Sequence, residues 1–214
     1  MKEIWESDLT VVFVATAVEE VSEALGFYHL HRRNRFWELL EFGEITPTRI
    51  ITPSERKALA EGHARDSLSE PVRWMFIQKK TSQLLKLGIG LTHLNQRVIA
   101  TNDKDKAARP TEEDIQGFLD RAVKLKPKIL AFVTGADLFV ELFANRYPGV
   151  TAALGLQSFR IGNSEVWLLG APGGLLRGEA LSRQEDAFCA LGERISSLKE
   201  ETAQQIIRPP RPNP

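Results

Sequence analysis

The chain of 214 residues is 43% apolar and 26% charged, a balance that fits a single globular core and excludes disordered, collagen-like and solenoid classes. Lysine plus arginine equals aspartate plus glutamate, 28 against 28, so net charge neither requires a nucleic-acid partner nor excludes a local basic face. The lone Cys189 rules out an internal disulfide and a cysteine-based metal site, no run reaches the roughly 20 apolar residues of a bilayer span, and the opening residues lack a signal-peptide plan. A cytoplasmic protein with no metal and no cofactor is expected.

Residues 9–14 form a β-branched run that reads as a buried parallel strand, handing residues 15–18 to a loop. Phe36, Trp37, Leu39, Leu40 and Phe42 predict a helix that opens at Asn34 and stops at Gly43. Residues 53–80, with Pro53, Gly62 and Pro71, read as an irregular insertion packed on the core. Residues 84–94 read as a short strand broken by glycines, followed by a polar loop to Pro110.

Thr111 and the acids behind it start a helix with Ile115, Phe118, Leu119 and Ala122 at helical spacing, which Pro127 ends. A strand over residues 129–133 delivers Thr134-Gly135, and a helix is expected from Asp137 to about Asn145. A third strand, residues 166–169, runs into Gly170-Ala-Pro-Gly-Gly174. A last helix spans about 182–205, before an Arg/Pro-rich tail at 208–214. Strands alternating with helices predict a parallel sheet covered on both faces, whose ligands sit beyond the carboxyl ends of the strands where the winding reverses.

Phe13-Val-Ala-Thr-Ala17, Gly26-Phe27 and His31-Arg-Arg-Asn34-Arg-Phe-Trp37 together resemble, without gaps, the first motif of mismatch-specific uracil/thymine-DNA glycosylases, F-x-G-I-N-P-G, then G-F or G-H, then H-P-x-N-R-F-W. Leu87-Gly-Ile-Gly-Leu-Thr-His93 is similar to that family's G-x-G-[VF]-T segment, and Pro127-Lys-Ile-Leu-Ala-Phe-Val-Thr-Gly135 to its P-x-x-[IL]-A-x-x-x-G strand. The resemblance runs from about Val11 to Arg177, interrupted by the insertion. It implies the uracil-DNA glycosylase fold, a three-layer α/β/α architecture with a central four-stranded parallel sheet. It also implies one domain over residues 1–207, with the insertion at 53–80, and a DNA groove across the strand ends. Two departures stand out. The family's catalytic asparagine falls on Ala17, and the polar residue that opens its second motif falls on Ala171.

Under this resemblance the chain is a monomeric DNA glycosylase of base-excision repair that flips out and hydrolyses off uracil, or another deaminated base such as hypoxanthine, from DNA carrying a deaminated or mismatched base. Asn34 is the candidate for the missing polar group, since the hypoxanthine-DNA glycosylase branch also lacks the first asparagine and carries a similar H-P-R-N-A-F-W segment. By its residue type Asn34 is equally a cap for the helix that follows. His93 is expected just past a strand end as a donor to the base or sugar, and Thr16 and His31 are weaker substitutes. Ala17, Phe27 and His31 line the implied base site, with Phe27 as the stacking platform. Gly173, Gly174 and Leu175 form the implied wedge loop, against a tight turn with Leu175 in the core as the alternative. Arg33, Arg35 and Arg177 are the candidate phosphate contacts, against plain solvated arginines. Two other functions remain open, a catalytically inactive protein that binds damaged or abasic DNA, and a small-molecule binder in the old pocket.

Overall fold

The computed structural model describes residues 1–64, 69–100 and 109–207. It is an α/β protein built on one sheet of five strands: β1 (Val11–Glu19), β2 (Ile89–Ala100), β3 (Ile129–Phe132), β4 (Gly155–Ile161) and β5 (Ser164–Leu168). Their order across the sheet is β2-β1-β3-β5-β4, with the first four parallel and β4 antiparallel to β5. Seven helices accompany them among the described residues: α1 (Glu20–Leu25), α2 (Phe36–Phe42), α3 (Pro53–Ala64), α4 (Glu70–Lys86), α5 (Glu112–Leu125), α6 (Ala136–Phe143) and α7 (Gly178–Ile207).

Alternation along the strands divides the core into two layers. Val11, Phe13 and Ala15 point to one face, where they meet Phe36, Leu39 and Leu40 of α2 and Phe188, Leu191 and Ile195 of α7. Val12 and Val14 point to the other, under Ile115, Phe118 and Leu119 of α5 and Phe139, Leu142 and Phe143 of α6. Helix α5 starts as its sequence dictates, with the Thr111 side chain and Asp114 capping each other reciprocally.

Four expectations need correction. The sheet has five strands rather than four. The additional β4 is an edge strand whose exposed Leu156 and polar Gln157, Ser158 and Arg160 give no buried run, and it turns into β5 at Gly162, φ 57°. The 53–80 insertion is not irregular, since α3 fills its first part and α4 covers 70–86. Pro53 and Pro71 sit in the first turns of these helices, where a missing amide hydrogen costs nothing. Exposed Val72, Trp74 and Met75 hid the buried stripe of α4. Residues 84–86 therefore close α4, and the strand begins only at Ile89. Residues 15–18, expected as a loop, continue β1, because β2 runs beside them and pairs Ala15 with His93 and Ala17 with Asn95. The expected tail at 208–214, and 101–108 of the expected polar loop, lie outside the described residues.

Helices α2 and α7 meet backbone to backbone. A Cβ on Gly43 would lie 2.6 Å from the Phe188 carbonyl oxygen, and one on Gly192 would fall inside the Gly43 carbonyl. Gly192→Ala is therefore expected to lower stability by roughly 1–3 kcal/mol or more, through a backbone that cannot retreat. Gly117→Ala in α5 would meet only the Arg121 guanidinium at 3.6 Å, and is expected to be neutral or to stabilise by up to about 1 kcal/mol. Urea unfolding of the two variants checks the contrast.

Candidate functional site at the carboxyl edge of the sheet

The chain leaves β1 toward β2 on one side and returns as β3 on the other, so the winding reverses between β1 and β3. Strand β3 pairs with β1 only through Val11–Val14, so from Ala15 onward β1 outruns its neighbour. At that step Thr16 and Thr134, both buried, share a 2.5 Å hydroxyl hydrogen bond.

The overhang of β1 ends at half-buried Glu19, where a polar cluster begins. Glu19 Oε1 accepts from Asn34 Nδ2 at 3.3 Å, and Oε2 accepts from Ser22 Oγ at 3.1 Å. Ser22 Oγ in turn accepts the Leu30 amide at 3.0 Å, which fixes its hydroxyl toward Glu19. The Asn34 carboxamide is oriented by its own partners: Oδ1 takes the Phe36 amide at 2.9 Å, so Nδ2 lies on the Glu19 side. Its second hydrogen reaches His29 Nδ1 at 3.3 Å, which makes Nδ1 an acceptor and puts the His29 proton on Nε2. Burial pushes the His29 pKa down to about 4, against a smaller upward pull from Glu19, so the neutral ring this network needs is the form present near pH 7. His29 also has a φ of 54°, outside the usual range for a side chain of its size.

Asn34 thus both holds the first amide of α2 and braces Glu19, and at 9% exposure it has no N–H left to offer a substrate. Its backbone forms an antiparallel bridge to Gly173, and the Arg35 amide donates to the Pro172 carbonyl at 2.8 Å, which draws the 171–175 loop against the 31–35 segment. Gly174 is required there, since a Cβ would lie 2.5 Å from the Arg33 carbonyl oxygen. Arg56 of α3 donates to the carbonyls of His31 and Asn34, so the expected insertion is part of the frame of the site. Sequence reasoning missed Glu19, Ser22, His29 and Arg56; the only available signal was an acid two residues beyond Ala17.

The other expected residues fall in varied settings. Ala17 is half-buried on the β1 overhang. His93 is not beyond a strand end: it lies within β2, 4% exposed, stacked on Tyr28 at 4.7 Å, and burial holds its pKa well below the ordinary value. Phe27 is 1% exposed with its ring stacked on Trp37 at 5.8 Å. His31 Nδ1 accepts the Arg33 amide at 3.3 Å. Arg33 is exposed, whereas Arg35 is committed to Glu38 at 2.8 Å and Glu185 at 3.1 Å, and these partners raise its pKa. Leu175 projects from its loop at 78% exposure, not into the core, and the Arg177 guanidinium holds the Gly174 and Leu176 carbonyls. Among the described residues no group of three or more His, Cys, Asp or Glu side chains is arranged to hold a metal ion, and no helix is long and apolar enough to cross a membrane.

No protein-family model matches the sequence.

The depressed His29 pKa has a sign. The unfolded chain binds a proton near the ordinary histidine value of 6.5 while the folded chain resists until about 4, so stability is full above pH 6.5 and is lost as pH falls toward 4. The loss from this group is about 3 kcal/mol. Urea midpoints at pH 7 and pH 4.5 should show it, and His29→Asn, which tolerates the positive φ, should flatten the acid limb.

Proposed function

We propose that the protein is a DNA glycosylase of the uracil-DNA glycosylase fold, which removes uracil or another deaminated base such as hypoxanthine from DNA. The observation that carries this reading is the bridge between Asn34 and Gly173, which brings together the two segments that resemble the first and second glycosylase motifs, at the carboxyl end of β1.

Glycosidic cleavage builds positive charge on the sugar and negative charge on the departing base. In this reading Glu19 takes the role that Ala17 has lost. Held by Asn34 and Ser22, its carboxylate faces the cationic sugar and accepts a proton from the water that attacks C1′. The C1′–N bond breaks with its electron pair on the base, which then takes a proton from solvent. Asn34 is a positioning residue, which fixes the carboxylate rather than touching the substrate. Exposed Leu175 fills the gap left by the flipped nucleotide, and Arg33, packed against Gly174 of the same loop, meets backbone phosphate. The protein needs no cofactor for this chemistry.

A second reading has its own observation: both Asn34 N–H groups are spent internally and Ala171 replaces the second motif's polar residue. Under it, the protein binds damaged or abasic DNA without cleaving it.

Single- and double-stranded oligonucleotides carrying uracil, hypoxanthine or mismatched thymine, assayed for alkali-labile sites, separate the two. The glycosylase reading expects cleavage of at least one substrate, a fall of roughly 10²–10⁴-fold in Glu19→Gln with DNA affinity retained, and weaker action in Leu175→Ala. Selective binding without cleavage supports the second reading, and neither cleavage nor selective binding contradicts both.

A further inference from the structure

Most of the described arginines are paired with a carboxylate, and Arg35 and Arg194 show the geometry. In each, Nε and Nη2, the two N–H groups on one side of the guanidinium, close together on an acid, Glu38 for Arg35 and Glu165 for Arg194. Arg56 of α3 is filled the other way round. It is half-buried, and its Nη1 donates to the carbonyls of His31 at 3.2 Å and Asn34 at 2.5 Å. Its Nε and Nη2 have no partner among the described residues, and neither is enclosed. The side that grips a carboxylate elsewhere in this protein stands open here.

Two clamps hold that open side in place. Glu55, the preceding residue, accepts the Thr52 amide at 2.9 Å and the buried Lys80 ammonium at 2.7 Å, which pins the first turn of α3 onto α4. The two carbonyls fix the guanidinium beside Asn34, whose side chain braces Glu19. The acids of the neighbourhood are engaged elsewhere: Glu38 with Arg35 at 2.8 Å, Glu41 with Arg49 at 2.7 Å, and Glu19 with Asn34 and Ser22. Arg32 and Arg33, in the segment that Arg56 clasps, are exposed and have no ion pair among the described residues. Three unpaired cations therefore gather at one segment of a chain whose formal net charge is zero.

We infer that Arg56 grips one DNA phosphate through Nε and Nη2, which makes helix α3 part of the nucleic-acid surface. The inference rests on the glycosylase reading for its partner. Two unesterified phosphodiester oxygens match two parallel N–H groups, and a strand brings further phosphates to Arg32 and Arg33. The same guanidinium then joins the bound strand to the 31–34 backbone, from which Asn34 positions Glu19.

Anisotropy titrations of the full chain with labelled uracil-containing oligonucleotides, single- and double-stranded, test this. Each phosphate near the uracil is replaced in turn by an uncharged methylphosphonate. In the wild type one replacement is expected to weaken binding about tenfold, and in Arg56→Gln the same replacement should cost nothing further. Replacements elsewhere should cost both proteins alike. Arg56→Gln should also reduce the slope of log affinity against log salt by about 1. Arg56→Lys, which preserves the charge and guards against loss of the fold, should keep the slope but lower the cost of that one replacement, since an ammonium lacks the paired N–H groups. Costs that are the same in wild type and variants at every phosphate, or an unchanged salt slope in Arg56→Gln, would overturn the inference and leave the glycosylase reading standing. Failure of the wild-type chain to bind any of the oligonucleotides would overturn both.

Discussion

One buried carboxamide organises the carboxyl edge of this protein. Asn34 accepts the first amide of α2, donates to the last residue of β1 and to His29, and through its backbone holds the 171–175 loop. A side chain with two donors and an acceptor on one rigid plane is what three separate segments need at a single point. Aspartate would lose both donors there and set a second carboxylate against Glu19. The neutrality of His29, enforced by burial, belongs to the same device, since a protonated ring would turn a donor against the Asn34 N–H.

The loss of a polar side chain at Ala17 and the gain of a braced carboxylate at Glu19 compensate each other in the proposed chemistry. Both lie on the stretch of β1 that outruns β3, on either side of the break in register with β2 between Ala17 and Val18, with Glu19 nearer the end of the strand. The cost of such a shift is a more elaborate support. Glu19 needs Ser22, Asn34 and, behind them, Leu30 and His29 to fix its orientation.

Much of the fold was legible in the sequence. The cores of β1, β3 and β5 are buried on both faces and read as continuous apolar runs, while α5 carries its cap and its stripe in the open. What stayed hidden had physical reasons. Helices α3 and α4 begin with prolines that look like breakers, and α4 exposes Trp74 and Met75, which blurs its buried side. Strand β4 is an edge with one polar face. Of the candidate site, Asn34 and the 173–175 loop could be named from the sequence, but the orientation of a carboxamide depends on partners 2, 5 and 15 residues away, and no local pattern records them. His93 was misplaced because Gly88 and Gly90 before it read as breaks and Asn95-Gln96-Arg97 after it as a polar loop, whereas β2 continues past it alongside β1.

The central claim is that DNA carrying a deaminated base lies across the edge formed by the end of β1, the 29–35 segment and the 171–177 loop. Amide hydrogen exchange of the full chain, with and without a uracil-containing duplex, measures this directly. The account predicts slower exchange concentrated in residues 15–22, 29–35 and 171–177, over and above that given by an undamaged duplex of the same length. Protection confined to α4 or β4, or identical for the two duplexes, would contradict it.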